Sequence, residues 1–151
     1  MKYIKIDFSV FNIYNWGKNH THTKMLPRLI TKPEQSGKTF IMLQQMIDQI
    51  NKETPDGSKN INFVICDNNL LLVLQTFKRV EDIPCLESYV EFSCSKSATC
   101  RSFEIVVDNI IHNGVRNVLS CSNYIRLKDI TSIISSIHLL GKGGDYQFNI
   151  W

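Results

Sequence analysis

Short apolar runs alternate with amphipathic stretches along this chain of 151 residues, and this alternation constrains the fold most strongly. Residues 61–67 form a nearly continuous apolar run, as expected of a parallel strand that is covered on both faces. Residues 103–111 instead carry apolar side chains at helical spacing. The order β-α-β-α-β-α-β-α-β predicts an α/β fold, with a mostly parallel sheet, helices on both faces and right-handed crossovers.

The strands are expected at 28–32, 61–67, 89–94, 115–121 and 146–151, and the helices start near residues 37, 70, 103 and 124. Asn68 or Asn69 is the expected cap of the second helix, and Ser102 that of the third. The side chains predicted to face the sheet are Phe40, Met42, Leu43, Met46, Ile47 and Ile50, then Leu70, Val73, Leu74, Phe77 and Val80, then Phe103, Val106, Val107, Ile110 and Ile111, and finally Leu127, Ile130, Ile133, Ile134 and Ile137.

Composition excludes several classes of protein. No apolar run approaches the roughly 18 residues of a membrane span, and the alternating start of the chain is unlike a signal peptide. We therefore expect a protein of the cytoplasm that is neither secreted nor membrane-bound. The five cysteines include no C-x-x-C pair, which predicts reduced thiols and no zinc site. A net charge of +3 tolerates a polyanionic partner without requiring one.

The segment that carries chemistry lies between the first predicted strand and the first predicted helix. Gly37-Lys38-Thr39 opens that helix, which is the setting of a phosphate-binding P-loop. Backbone N–H groups of the loop and of the helix start would face the phosphates, with Lys38 on the β- and γ-oxygens and Thr39 on Mg²⁺. Lys32 stands where the full pattern has glycine. The alternative is an ordinary strand-to-helix turn with a solvated Lys38.

The run PEQSGKTFIML, residues 33–43, resembles motif I of superfamily 2 helicases, in particular a viral type that reads Pro-x-Gln-Ser-Gly-Lys-Thr. FVICDNNLLLVLQT (63–76) resembles motif Ia of that family, which touches the nucleic-acid backbone. VRNVLSCSNYIRLKDI (115–130) resembles the strand, turn and helix that follow in helicases of large DNA viruses. QFNIW (147–151) resembles the strand that leads into the Asp-Glu box. The resemblance covers about residues 25–151 and is sharp only in motif I.

The resemblance implies a RecA-like P-loop NTPase domain over 25–151, preceded by an extension over 1–24. It implies that ATP and Mg²⁺ bind, that DNA or RNA is the partner, and that the protein works in the cytoplasm, a viral factory or the virion. The residues that would bind the nucleotide are Pro33, Glu34, Gln35, Ser36, Gly37, Lys38 and Thr39, with Thr39 as the Mg²⁺ ligand.

The acids of the Asp-Glu box would come directly after Trp151, and the resemblance therefore implies an incomplete domain that binds ATP with little hydrolysis. No catalytic residue is assigned. Asp67, which follows a predicted strand, could instead reach the metal through water or cap the next helix. Asp108 is expected in the middle of a helix.

A second group of polar residues follows the predicted strand 115–121. Arg126 could bind a backbone phosphate with Asn123 beside it. The resemblance to motif Ia implies a contact with the nucleic-acid backbone for Asn68, after the earlier strand. The alternative makes Asn123 a helix cap and Arg126 a solvated side chain. Two other functions remain open for the whole chain: a complete small P-loop phosphotransferase that uses Asp67, and a degenerate P-loop domain that acts as an interaction module.

Overall fold

Helices and strands alternate through the computed structural model of the chain, which describes residues 37–51, 57–86, 89–93 and 98–151. The elements are α1 (Lys38–Asn51), β1 (Lys59–Cys66), α2 (Leu70–Glu81), β2 (Tyr89–Phe92), α3 (Phe103–His112), β3 (Asn117–Cys121), α4 (Tyr124–Leu139) and β4 (Tyr146–Ile150). Single 3₁₀ turns occupy Pro84–Leu86 and Gly143–Asp145. The predicted strand 28–32 and the extension 1–24 lie outside the described residues.

The four described strands form one all-parallel sheet in the order β2-β3-β1-β4. This confirms the predicted α/β class. Beyond β2, the segment 98–100 covers the outer edge, since Cys100 N donates to Glu91 O over 3.1 Å and Glu91 N donates to Thr99 Oγ1 over 3.0 Å. Within the described part of the chain, no strand pairs with the outer edge of β4.

Both faces of the sheet are covered by helices, as predicted. One core contains residues of α3 and α4 packed on side chains such as Phe63 and Val118. The other contains residues of α1 and α2 packed on Val64 and Leu119. Successive strand residues point to opposite faces, so neighbouring residues such as 63 and 64 enter different cores. In the described ranges, no helix has the length and apolar character needed to cross a membrane.

The predicted helix stripes are largely confirmed, with three exceptions. Met46, Val73, Val80 and the four predicted isoleucines of α4 (Ile130, Ile133, Ile134 and Ile137) are buried, whereas Phe40 is 71% exposed and Leu70 and Leu74 are each 42% exposed. The prediction that Phe40 faces the sheet is wrong. α1 packs through Leu43 and Met46, and because each helical residue turns by about 100°, the Phe40 side chain lies to one side of that buried stripe. The same rotation carries Leu74 away from Val73 in α2.

Candidate functional site

The start of α1 lies at the edge of the sheet where the strands end. The last turn of α1 is held at the beginning of β1, where Asn60 Nδ2 donates to the Gln49 carbonyl over 2.8 Å. Leu43 and Met46 share a core with Val64, further along β1. A helix of 14 residues spans about 21 Å and a strand of eight about 26 Å. Gly37 therefore lies at the carboxyl edge of the sheet.

Gly37 adopts a left-handed backbone conformation, which favours glycine over other residues. Its φ is +77°, and its carbonyl accepts the first hydrogen bond of α1, from Ile41 N over 3.0 Å. A Cβ added at this position would meet no atom within 4 Å, so the requirement for glycine is conformational rather than steric. The N–H groups of the first turn of α1 follow directly, and the positive end of a helix dipole is an electrostatic setting for an anion.

The structure describes part of the predicted nucleotide site. Gly37 and Thr39 are together at the start of α1, and Thr39 is half-buried. Lys38 is the first helical residue, but its side chain lies outside the described part of the chain, as do Pro33, Glu34, Gln35 and Ser36. The contact of Lys38 with phosphate and that of Thr39 with Mg²⁺ remain predictions.

The turn after β1 presents an exposed carboxylate at the same edge. Asp67 Oδ1 accepts from Asn68 N over 2.7 Å, and the Asp67 carbonyl accepts from Asn69 N over 2.6 Å. The cap of α2 is Asn69, whose Oδ1 accepts from Leu71 N over 2.9 Å. Asp67 is therefore not the cap, and Asn68 stays exposed beside it.

The turn after β3 agrees with the structural interpretation of its sequence at Asn123 and departs from it at Arg126. Asn123 caps α4, with Oδ1 accepting from Arg126 N over 2.9 Å, which agrees with the structural alternative. Arg126, however, is only 9% exposed, so the expectation of a solvated side chain is wrong. Its contact with a nucleic-acid phosphate stays an untested prediction, and its guanidinium already has partners within the protein.

Arg126 joins three segments that are distant in sequence. Its Nη1 donates to Asp129 Oδ2 over 2.9 Å and to the Arg101 carbonyl over 3.0 Å, and its Nη2 donates to the Ser93 carbonyl over 3.2 Å. The guanidinium also lies 4.2 Å from the centroid of the Phe92 ring. Arg126 therefore ties the end of β2 and the approach to α3 onto α4, a role that the sequence did not indicate.

The other acids and thiols add no second centre among the described residues. Asp108 lies within α3 as predicted, exposed, with Oδ1 3.8 Å from His112 Nε2. Burial raises the pKa of the Cys66 thiol, a hydrogen bond with Thr76 opposes the rise, and the nearby Cys121 adds to it. Over the described ranges, no three His, Cys, Asp or Glu side chains are grouped to hold a metal ion.

Comparison of the chain with protein-family models, with curated proteins and with solved structures finds no match.

Proposed function

We propose that the chain is the ATP-binding portion of a superfamily 2 nucleic-acid helicase or translocase, built on a RecA-like P-loop domain. The observation that supports this proposal is the backbone conformation of Gly37. With a φ of +77°, Gly37 makes the turn that leads into α1 at the carboxyl edge of the sheet. The all-parallel order β2-β3-β1-β4, with helices on both faces, is compatible with such a domain.

The residues at this edge fit a magnesium–nucleotide in charge and donor type. The start of α1 offers backbone N–H donors and the positive end of a helix dipole to a phosphate. In the proposal, Lys38 neutralises the β- and γ-oxygens, and the Thr39 hydroxyl supplies a hard oxygen ligand to Mg²⁺. ATP supplies the free energy for translocation when it is bound and hydrolysed. The resemblance to motif I assigns residues 33–36 to the same nucleotide site.

Binding with little turnover is the expected behaviour of this chain. Asp67 is the acid that follows a strand at the edge, and the residue after it is Asn68, so no Asp-Glu pair is formed there. We therefore assign no catalytic residue. Single-stranded DNA or RNA would lie along the same edge, near Asn68 and Asn123, with the protein acting in the cytoplasm or a viral factory.

A second candidate function, a small P-loop phosphotransferase, is favoured by one observation. The Asp67 carboxylate is exposed at the edge to which the start of α1 points, so it could hold Mg²⁺ through water. This candidate requires turnover that Asp67→Asn removes.

The test is the binding of Mg-ATP to the purified chain, measured by calorimetry and by the shift in melting temperature. We expect binding by the wild type and a loss of about 10- to 100-fold in affinity for Lys38→Ala, since a charged hydrogen bond is removed. Lys78→Ala, an exposed lysine on α2, is the matched control and should bind as the wild type does.

Each other outcome points to a different function. A melting temperature that does not respond to Mg-ATP would favour the interaction module, because only a ligand that binds the native state stabilises it. Equal binding by Lys38→Ala and the wild type would rule out the P-loop assignment. Turnover that disappears in Asp67→Asn would support the phosphotransferase.

A further inference from the structure

Two cationic residues lie on one face of the sheet at its amino edge. β1 and β3 are aligned so that Asn62 pairs with Asn117, and the Asn62 N–H donates to the Arg116 carbonyl over 2.7 Å. One step nearer the amino edge, Arg116 therefore lies beside Ile61. Lys59 comes two residues before Ile61 and is on the same face, because side chains alternate along a strand. Lys59 and Arg116 are thus diagonal neighbours on adjacent strands.

Tyr146 lies on the same face of the sheet as these two cations. It is the register partner of Lys59 on the neighbouring strand β4. Tyr146 and Phe148 both pack against the core that contains Ile61, with their ring centroids 6.4 Å apart. An electrostatic interaction also links Tyr146 with the guanidinium of Arg116. Three strands therefore each contribute one polar side chain to the same corner of the domain.

The guanidinium of Arg116 has few acceptors for its donors. Arg116 is half-buried, and within the described part of the chain its one hydrogen bond is a long one, from Nη1 to the Asn60 carbonyl over 3.5 Å. Burial lowers the pKa of Arg116, and the interaction with Tyr146 opposes that change. A guanidinium carries five N–H donors and stays charged in proteins. Its partial burial is therefore unfavourable unless an anion faces it.

No carboxylate of the described residues balances the two cations. The ion pairs found there involve neither Lys59 nor Arg116; they join His112 to Asp108 and Arg126 to Asp129. Like charges on neighbouring strands destabilise a sheet. An anion bound between Lys59 and Arg116 would remove this repulsion and would also supply acceptors to the guanidinium. Lys59 is exposed and Arg116 is half-buried, so an anion can reach both from solvent.

We propose that Lys59, Arg116 and Tyr146 form a binding site for a phosphate group at the amino edge of the sheet. Arg116 donates two parallel N–H bonds to a pair of phosphate oxygens, Lys59 supplies the second positive charge, and the Tyr146 hydroxyl donates to a third oxygen. A phosphate offers an oxygen to each of the three groups, whereas a carboxylate has only two. The site lies at the opposite edge from Gly37, and this inference does not depend on ATP or nucleic-acid binding.

The test is a titration of the purified chain with inorganic phosphate, followed by NMR of the arginine side-chain N–H signals. We expect the Arg116 Nε–H signal to shift and to saturate, and chloride at equal ionic strength to leave it in place. Arg116→Gln should weaken phosphate binding about 10-fold or more, because charged hydrogen bonds are lost. Lys59→Gln should weaken it about 2- to 5-fold. Arg79→Gln, which removes an exposed cation of α2, is the matched control and should bind as the wild type does.

Two results would overturn the proposal. The first is an Arg116 signal that does not respond to phosphate. The second is a response that disappears in Lys38→Ala, since the phosphate would then bind at the start of α1. If Arg116→Gln does not fold, Lys59→Gln and Tyr146→Phe decide, and wild-type affinity in both would equally contradict the site.

A titration with phenyl phosphate identifies the source of the phosphate group. Tighter binding of phenyl phosphate than of inorganic phosphate points to a phosphate ester, and the reverse order points to the free ion. Both orders support a phosphate site at Arg116, provided that the Arg116 signal is the one that shifts.

Discussion

The guanidinium of Arg126 lies over the ring of Phe92, with its Cζ 4.2 Å from the ring centroid. The strand that carries Phe92 and the helix that carries Arg126 are thereby joined next to the carboxyl edge of the sheet. An arginine that stacks on a ring and bonds a carboxylate stabilises the packing of the segments it joins. Its planar, always charged guanidinium can make both contacts at once, which the ammonium of a lysine does less well.

Replacing Arg126 is expected to cost stability. Arg126→Ala leaves the half-buried Asp129 without its cation and frees the carbonyls of Ser93 and Arg101, so the free energy of unfolding should fall by about 3 kcal/mol. Arg79→Ala, on the exposed side of α2, should change it little. Urea unfolding measures both. If Arg126→Ala is as stable as Arg79→Ala, the contacts of Arg126 with Ser93, Arg101 and Asp129 do not stabilise the fold.

A substitution at Gly37 tests the backbone geometry of the candidate site. Gly37→Ala introduces a side chain at φ +77°, at a cost of roughly 1–2 kcal/mol, or a rearranged start of α1. We expect weaker Mg-ATP binding with α1 otherwise retained by circular dichroism. Gly144→Ala is the control, because a Cβ at Gly144 meets no atom within 4 Å and its φ is not positive. It should leave Mg-ATP affinity unchanged. Full nucleotide affinity in Gly37→Ala would contradict the assignment of the loop.

The starts of α2 and α3 differ in side-chain capping, which makes them a matched pair for mutation. Asn69 accepts a hydrogen bond from Leu71 N, whereas Ser102 makes no side-chain cap bond at the start of α3. Asn69→Ala should therefore lower the free energy of unfolding by about 1 kcal/mol, and Ser102→Ala by much less. Equal losses in thermal or urea unfolding would contradict the difference in capping.

The buried thiols predict a loss of stability at alkaline pH. Burial raises the pKa of Cys66 and of Cys100 in the folded state, so both bind their protons more tightly there than in the unfolded chain. Their contribution is complete below the ordinary thiol pKa of roughly 8.5 and is lost as pH rises through the raised values. Urea unfolding from pH 7.5 to 10 should show this fall, and Cys66→Ala/Cys100→Ala should flatten it. An unchanged slope in that variant would contradict the prediction.

The described helices and strands could be predicted from local patterns, because the formation of each one depends mainly on residues that are close in sequence. The stripe of α4, from Ile130 to Ile137, is buried as its spacing indicates. The exposure of Phe40 could not be predicted, because an apolar side chain does not by itself indicate which side of α1 packs on the sheet. The sequence also located the Gly37 turn, although it could not place that turn relative to Asp67.

Long-range polar contacts could not be predicted from the sequence. The carbonyls that Arg126 binds belong to Ser93 and Arg101, and their positions depend on how β2 and α3 are connected. Asn62 and Asn117 are 55 residues apart and meet only when β1 and β3 are aligned. A lone asparagine in an apolar strand gives no sign of its partner.

The outer edge of β2 is closed to a further strand by the chain itself. Both backbone groups of Glu91 are engaged there, the N–H by Thr99 Oγ1 and the carbonyl by Cys100 N. A strand from a second molecule would have to displace residues 98–100 before it could pair at Glu91. The covered edge therefore protects this side of the sheet from edge-to-edge aggregation.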